Sequence, residues 1–398
     1  MGTSISEEQL QFDFVLPRKF IVNSVRIELL VKKMNLSFKL SRRIPQIKTI
    51  YYGSFAFVCV IIVFIIRTTC NSANDKACSN SNKVCFRYNS SSGKEFLLED
   101  VLLSKRKPTP GKTIFFHETS CSELNQLHLT SRQACAIESA ALANPSLDVF
   151  VLFTSPAHSS NTSKSKIVDA ILTYSNVYLR SLNLWTYAAD TPISEWLEDG
   201  GIFSSKYVKS HISDFLRYLT LYKWGGTYLD LDVVILRSLE NIKPNFAGAE
   251  SDTHVAAGVM NFDNEDFGHE IAAACLRNFQ MNFNGNNWGS NGPGVITRVL
   301  HDICRTKSPQ LMTRNRCTGF KVFPIEAFYA IPWPKWEHFF DPSFTESVLN
   351  RTKNSIAVHI WNRHSTGKVI NVGSKAAYAE FAEKHCPKVY KASGTYFR

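Results

Sequence analysis

Beyond residue 112 the chain alternates short apolar runs with longer stretches whose apolar positions recur every three or four residues. Thr113-Ile-Phe-Phe116 predicts a buried strand, 129–143 a helix, 147–153 a second strand, 164–174 a second helix and 177–179 a third strand. The first of these helices is rich in alanine, has Ser131 to cap it and is stopped by Asn144-Pro145. Further on, 204–224 reads as a long helix ended by Gly225-Gly226, and 227–236 as one long β-branched strand. Such alternation predicts an α/β domain with a mostly parallel central sheet and right-handed crossovers. Ligands in such sheets bind beyond the carboxyl ends of the strands.

One apolar run stands apart. Residues 49–66 carry no charge, and at 1.5 Å per residue about 18 to 20 residues cross a bilayer core of ~30 Å. Residues 1–48 hold nine Lys/Arg against four Asp/Glu, so +5 of the overall net charge of +11 falls in this eighth of the chain, ahead of the run. The positive-inside rule then predicts a cytoplasmic basic tail (1–48), a signal-anchor helix (49–66), a lumenal stem (67–111) and a lumenal body (112–398). A basic excess beside a membrane span points to a membrane surface and away from nucleic acid. The Ser-, Asn- and Lys-rich composition before residue 94 fits a hydrated stem, and Lys105-Arg-Lys-Pro-Thr-Pro-Gly111 marks the domain edge.

Nine of the ten cysteines lie beyond the span, as do sequons at Asn89, Asn161 and Asn350, which suits an oxidising, glycosylating compartment. No cysteine spacing matches a zinc site. Pairs that close short loops, Cys121–Cys135 and Cys304–Cys317, are the expected disulfides; spacing leaves other pairings open.

Chemistry concentrates in Ser213-Asp214-Phe-Leu-Arg217 through Trp224-Gly225-Gly226-Thr-Tyr228-Leu-Asp230-Leu-Asp232. On a helix, Asp214 and Arg217 share a face one turn apart. On a single strand, Asp230 and Asp232 point to the same side, with Leu229, Leu231 and Val233 opposite. Two carboxylates on one face repel unless a hard divalent cation sits between them, and such a cation also bridges a diphosphate. An Asp-x-Asp alone is weak evidence. Joined to Asp-x-x-Arg and Trp-Gly-Gly inside an apolar strand, it becomes specific.

Two further positions stay open on the residues alone. His359, between Val358 and Ile360, is either a third metal ligand or a satisfied core histidine. Asn291-Gly292 precedes a helix over 295–304, and its amides either face a phosphate or form an ordinary helix start.

The block resembles the DXD-containing sugar-binding region of glycosyltransferase family 32, and the chain from about Ile114 to Cys386 resembles the α-1,4-glycosyltransferase group within it. The likeness also takes in Phe116-His-Glu-Thr-Ser120, Ser290-Asn-Gly-Pro-Gly294, Val322-Phe-Pro324 with Phe328-Tyr329, and Ala357-Val-His359-Ile-Trp361-Asn. It implies a GT-A-type fold, a UDP-sugar donor, Mn²⁺ (or Mg²⁺), and transfer with retention of configuration. By the same resemblance Asp214 and Arg217 hold sugar hydroxyls, Asp230 contacts ribose and sugar, and Asp232 binds the metal. Asp230 and His359 join Asp232 as candidate ligands, and Tyr228, Asn291 and Gly292 line the nucleotide-sugar site. Trp288, Trp333, Trp336 and Trp361 offer flat faces to acceptor sugars.

The resulting expectation is a Golgi membrane hexosyltransferase. It would move galactose or N-acetylgalactosamine from its UDP form to a terminal galactose or N-acetylgalactosamine of a glycosphingolipid. The short stem, which keeps the body near the bilayer, favours a lipid-linked acceptor. The competing readings are α-1,4-N-acetylglucosaminyl transfer to O-glycans and a catalytically silent glycan-binding membrane protein.

Overall fold

Continuous apolar runs make strands that are buried on both faces, and the runs that open the body pair as such a sheet. The computed structural model of the protein describes residues 98–120, 127–155 and 165–398. The tail 1–48, the run 49–66, most of the stem and the sequons Asn89 and Asn161 lie outside these residues. Among the described residues no helix is long and apolar enough to cross a membrane. Asn350 is exposed on the helix Thr345–Thr352.

Strands β1 (Thr113–Glu118), β2 (Asp148–Phe153), β3 (Val177–Ser181) and β4 (Gly226–Leu229) run parallel at one side of a seven-stranded sheet ordered β3-β2-β1-β4-β7-β6-β8. The rest are β6 (Phe246–Ala249), β7 (Val255–Phe262) and β8 (Lys321–Phe323). Only β7 runs against the others, so the expected mostly parallel α/β sheet is present, in mixed form. Alternate residues feed two cores: Ile114 and Phe116 pack on one face, Phe115 on the other. The body packs from Leu98 onward, where Val101 is buried and Asp100 bridges Ser181.

Helix α1 (Ser131–Ala143) covers the first face. Its cap is Thr130 instead of Ser131, because Gln133 completes a reciprocal capping box with Thr130. Helix α2 (Lys166–Leu172) lies beside it. The second face is covered by α3 (Val208–Trp224), α4 (Asp266–Asn282) and α5 (Pro293–Cys304). The expected start of α3 at 204 falls in a separate 3-10 turn, Gly201–Ser204. At the end of α3, Gly225 and Gly226 both take positive φ, and a Cβ on Gly226 would lie 2.3 Å from the Thr113 carbonyl oxygen. Glycine is therefore required where the helix turns straight into β4.

The single strand expected over 227–236 is instead two. β4 ends at Leu229, and β5 (Val233–Ile235) leaves the main sheet to pair antiparallel with β9 (Ala357–His359). The acid pair occupies the turn between them, closed by the Val233 amide donating to the Asp230 carbonyl at 3.0 Å. A break here lets the two carboxylates converge, which a flat strand does not allow.

The C-terminal segment returns to the first face. After α6 (Asn362–Ser365) come α7 (Ala377–His385) and α8 (Pro387–Ala392), bracketed by a small antiparallel pair of β10 (Ile370–Asn371) and β11 (Tyr396–Phe397). Cys135 on α1 bonds to Cys386 at the start of α8, which overturns the Cys121–Cys135 expectation. Loop length favoured a local partner, but packing brings together residues 251 positions apart. Cys304–Cys317 forms as expected, and Cys275 is a buried free thiol. Next to the first disulfide, the fully buried Glu138 accepts from the amides of Lys388 (3.0 Å) and Val389 (2.7 Å) and from the Tyr174 hydroxyl (2.6 Å). It caps α8 from α1.

Two outcomes follow for stability. Non-reducing peptide mapping will recover a Cys135–Cys386 linked peptide, and Cys386→Ser will lower unfolding free energy by about 2–5 kcal/mol. A Cys121–Cys135 peptide in its place contradicts this packing. Glu138→Ala leaves two amides and a phenol without an acceptor, at a cost of about 3 kcal/mol or more in chemical denaturation. A loss below about 1 kcal/mol shows that water replaces the cap.

Candidate active site

Helix α3 presents Asp214 and Arg217 toward the carboxyl end of the sheet, each 6% exposed. A buried guanidinium needs an acceptor for every N–H. Arg217 donates to Asp230 at 3.0 Å, to the Ala257 carbonyl at 2.9 Å and to the Ser213 carbonyl and hydroxyl at 3.4 and 3.2 Å, and it forms an ion pair with Asp214 at 2.9 Å. Four of its five N–H groups are thereby engaged in hydrogen bonds, and the planar group lies over the Tyr228 ring, 4.7 Å from its centroid. Tyr228 in turn donates to Asp230 at 2.8 Å.

Asp232 faces the other way. Its Oδ2 accepts the Asn362 amide at 2.7 Å, and its carbonyl accepts the Ile360 amide at 2.9 Å. The β5–β9 pairing sets Val233 opposite His359, which brings the imidazole Nε2 to 3.3 Å from Asp232 Oδ1 and 3.6 Å from Asp230 Oδ2. One atom from each of Asp230, Asp232 and His359 lies within 4.8 Å of the others. β7 leaves room for them: a Cβ on Gly258 would sit 2.7 Å from Asp230 Oδ2 and 3.2 Å from His359 Nε2.

Burial and charge act in opposition here. Burial pushes the Asp214 carboxyl up to about 7, with Arg217 opposing and Asp230 adding to the rise. Burial also acts to raise Asp230, but Arg217, His359 and Tyr228 outweigh it and hold that carboxyl below its ordinary range. Burial disfavours the charged form of His359, yet Asp232 and Asp230 keep its proton affinity above normal. The three-atom cluster therefore attracts a positive charge at its centre. His117, tilted against Tyr228, is driven down to about 3 by burial and by Arg217, and stays neutral.

The remaining expected residues divide. Gly292 touches the site directly, since a Cβ there would lie 2.3 Å from Asp214 Oδ1. Asn291 is 1% exposed and is engaged by His211 and by both the amide and carbonyl of Asn284, so it secures the turn. Trp361 is a wall and not a platform: its indole donates to the Ile331 carbonyl, and its ring packs 4.3 Å from His359. Trp336 is half-buried, whereas Trp288 and Trp333 are 37% and 49% exposed.

Several contributors escaped the sequence. Trp361 adopts a left-handed backbone (φ +58°), an unfavourable conformation for an aromatic residue. That kink aims the following amide at Asp232. Arg132 on α1 secures the same strap by donating to the Ser365 carbonyl at 2.7 Å and to the Asn362 and Ser365 side chains. Tyr329, beside His359, has a buried hydroxyl with no partner among the described residues, and Glu250, just past β6, is electrostatically linked to both. Tyr329 and Trp361 stood in the motifs quoted above without these roles, and nothing in the sequence marked Arg132 or Glu250.

Comparison with known proteins gives two family matches. Residues 130–248 match the glycosyltransferase sugar-binding region containing the DXD motif, and residues 264–393 match the alpha 1,4-glycosyltransferase conserved region. Lactosylceramide 4-alpha-galactosyltransferase of Mus musculus is 32% identical over 292 residues, covering 73% of this chain and 78% of the relative. The Rattus norvegicus protein of the same name is 30% identical, covering 88% and 92%. Alpha-1,4-N-acetylglucosaminyltransferase of Homo sapiens is 28% identical, covering 73% and 82%.

Removing the shared cation tests the electrostatic arrangement. Arg217→Met leaves Asp214 and Asp230 buried without it and will cost about 3–5 kcal/mol in urea unfolding. A loss under about 1 kcal/mol contradicts the central place given to this ion pair.

Proposed function

The chain belongs to the α-1,4-glycosyltransferase family, and on that premise we propose that it transfers galactose or N-acetylgalactosamine from a UDP-sugar, with retention, to a terminal galactose or N-acetylgalactosamine of a glycosphingolipid. Its DXD region implies a nucleotide-sugar donor and a divalent metal. The observation that carries the reading is the meeting of Asp230, Asp232 and His359, drawn from a strand break and a distant strand onto one point. Two carboxylate oxygens and an imidazole nitrogen suit Mn²⁺ or Mg²⁺, and the raised proton affinity of His359 reflects the same demand for positive charge. When bound there, the cation neutralises charge on the departing diphosphate.

The chain's own residues do the rest by position. Asp230, Asp232 and His359 hold the ion. Arg217 fixes Asp214 and Asp230, pairing with Oδ1 of Asp214 beside Gly292, so the donor sugar is reached through the other oxygen of Asp214. Tyr228 orients Asp230. The acceptor hydroxyl attacks the anomeric carbon on the face from which the diphosphate leaves. As that carbon–oxygen bond breaks and the new one forms, the proton passes to the leaving diphosphate. Trp333, exposed and stacked on His364 at 5.3 Å, presents a face to the acceptor sugar.

The GT-A designation and the placement in the Golgi rest on the family. The layout of cytoplasmic tail 1–48, signal anchor 49–66, stem 67–111 and lumenal catalytic domain 112–398 is supported by the uncharged run 49–66 and the basic residues ahead of it. Two disulfides are consistent with an oxidising lumen. The similarity to lactosylceramide 4-alpha-galactosyltransferases supports a glycolipid acceptor over an O-glycan.

In a donor and acceptor panel with the detergent-solubilised full chain, UDP-galactose or UDP-N-acetylgalactosamine and a neutral glycosphingolipid will give product. Asp232→Asn will abolish it with the fold intact, and Trp333→Ala will raise the acceptor KM more than the donor's. Efficient use of UDP-N-acetylglucosamine on mucin-type O-glycans, with no neutral glycosphingolipid accepted, overturns the substrate reading. Undiminished turnover in Asp232→Asn overturns the metal assignment.

A further inference from the structure

A diphosphate brings two negative charges into a site already holding Asp214, Asp230 and Asp232. The buried cation, Arg217, is already paired with Asp214 and Asp230 and spends four of its N–H groups on protein acceptors. A second source of positive charge is needed beside the metal cluster.

The strap that closes the cluster carries one. Asn362 binds Asp232 through its amide, and the next residue, Arg363, is exposed. Its guanidinium lies over the Trp288 ring at 4.0 Å and near the Tyr207 ring at 5.7 Å. Those rings stand on other segments: Tyr207 at the start of α3, seven residues before Asp214, and Trp288 on the loop leading into Asn291-Gly292, which abuts Asp214. Arg363 therefore reaches from the wall holding Asp232 and His359 to the wall holding Asp214. Ring faces hold a guanidinium by its plane and leave its N–H edge open. Among the described residues Arg363 makes no hydrogen bond and no ion pair, so that edge has its full donor capacity free. A planar fork of N–H groups matches phosphate oxygens in pairs, and Arg132 anchors the strap that presents it.

We infer that Arg363, held between Trp288 and Tyr207, binds the diphosphate of the nucleotide-sugar donor across the mouth of the metal cluster. This rests on the donor reading above and adds a ligand-touching residue to it. Trp288 is a positioning residue that keeps the guanidinium over the cleft.

The test is titration calorimetry of the full chain in detergent with Mn²⁺ present, using UDP and, separately, uridine. Arg363→Gln will weaken UDP at least about tenfold, the loss of one charge-assisted contact. Uridine affinity will change by less than about twofold, and Arg363→Lys will recover part of the UDP affinity. The UDP affinity of Arg363→Gln will also fall less steeply with added salt than that of wild type. Trp288→Ala will reproduce a weaker form of the same defect with uridine spared. Unchanged UDP affinity in Arg363→Gln overturns the inference, as does an equal loss for UDP and uridine, which marks a merely structural role. Wild-type protein that binds no UDP overturns the donor reading and this inference together. Normal wild-type binding with an unaffected variant overturns this inference alone.

Discussion

Carboxylates taken out of water must be matched by cations or hydrogen bonds, and the whole site is organised by that demand for Asp214, Asp230 and Asp232. One guanidinium answers for the first two. Because Arg217 can serve both only if the helix and the turn after β4 are in fixed register, its pairing locks α3 to the sheet. Asp232 is answered from elsewhere, by the Asn362 amide and the His359 ring. What is left unmatched is a small volume between two oxygens and a nitrogen, which suits a divalent ion.

Meeting the demand of Asp232 recruits the far end of the chain. The β5–β9 pairing brings His359 in, the left-handed backbone at Trp361 turns the next amide inward, and Arg132 clamps the strap from α1. The same helix receives the C-terminal helices through Glu138 and the Cys135–Cys386 disulfide. Residues that never approach a substrate thus decide the geometry at the metal cluster. The strained conformation at Trp361 is tolerated because its indole hydrogen bond and its packing against His359 and Tyr329 fix it from both sides.

Much of this was legible in the linear sequence. Apolar runs located β1, β2 and β4 because both faces of those strands are buried, and the Gly225-Gly226 step was readable because only glycine accepts that backbone. The Asp214–Arg217 pairing followed from helical spacing. The break between β4 and β5 was invisible, since Val233-Val-Ile235 is as apolar and β-branched as any continuing strand. What ends β4 is the distant partner β9, and no local propensity encodes it. The Cys135–Cys386 bond failed for the same reason. Arg132 reads as an ordinary surface arginine on a helix, and only its burial beneath the strap reveals what it holds.

If the proposed chemistry holds, Asp230, Asp232 and His359 share one divalent ion. Anomalous diffraction from crystals of the folded body (residues 98–398) grown with Mn²⁺ and UDP tests it most directly. A single strong manganese peak is predicted within bonding distance of Asp230, Asp232 and His359 Nε2, with diphosphate density on its open side. A manganese peak elsewhere, or bound UDP with no metal between these three side chains, contradicts the account.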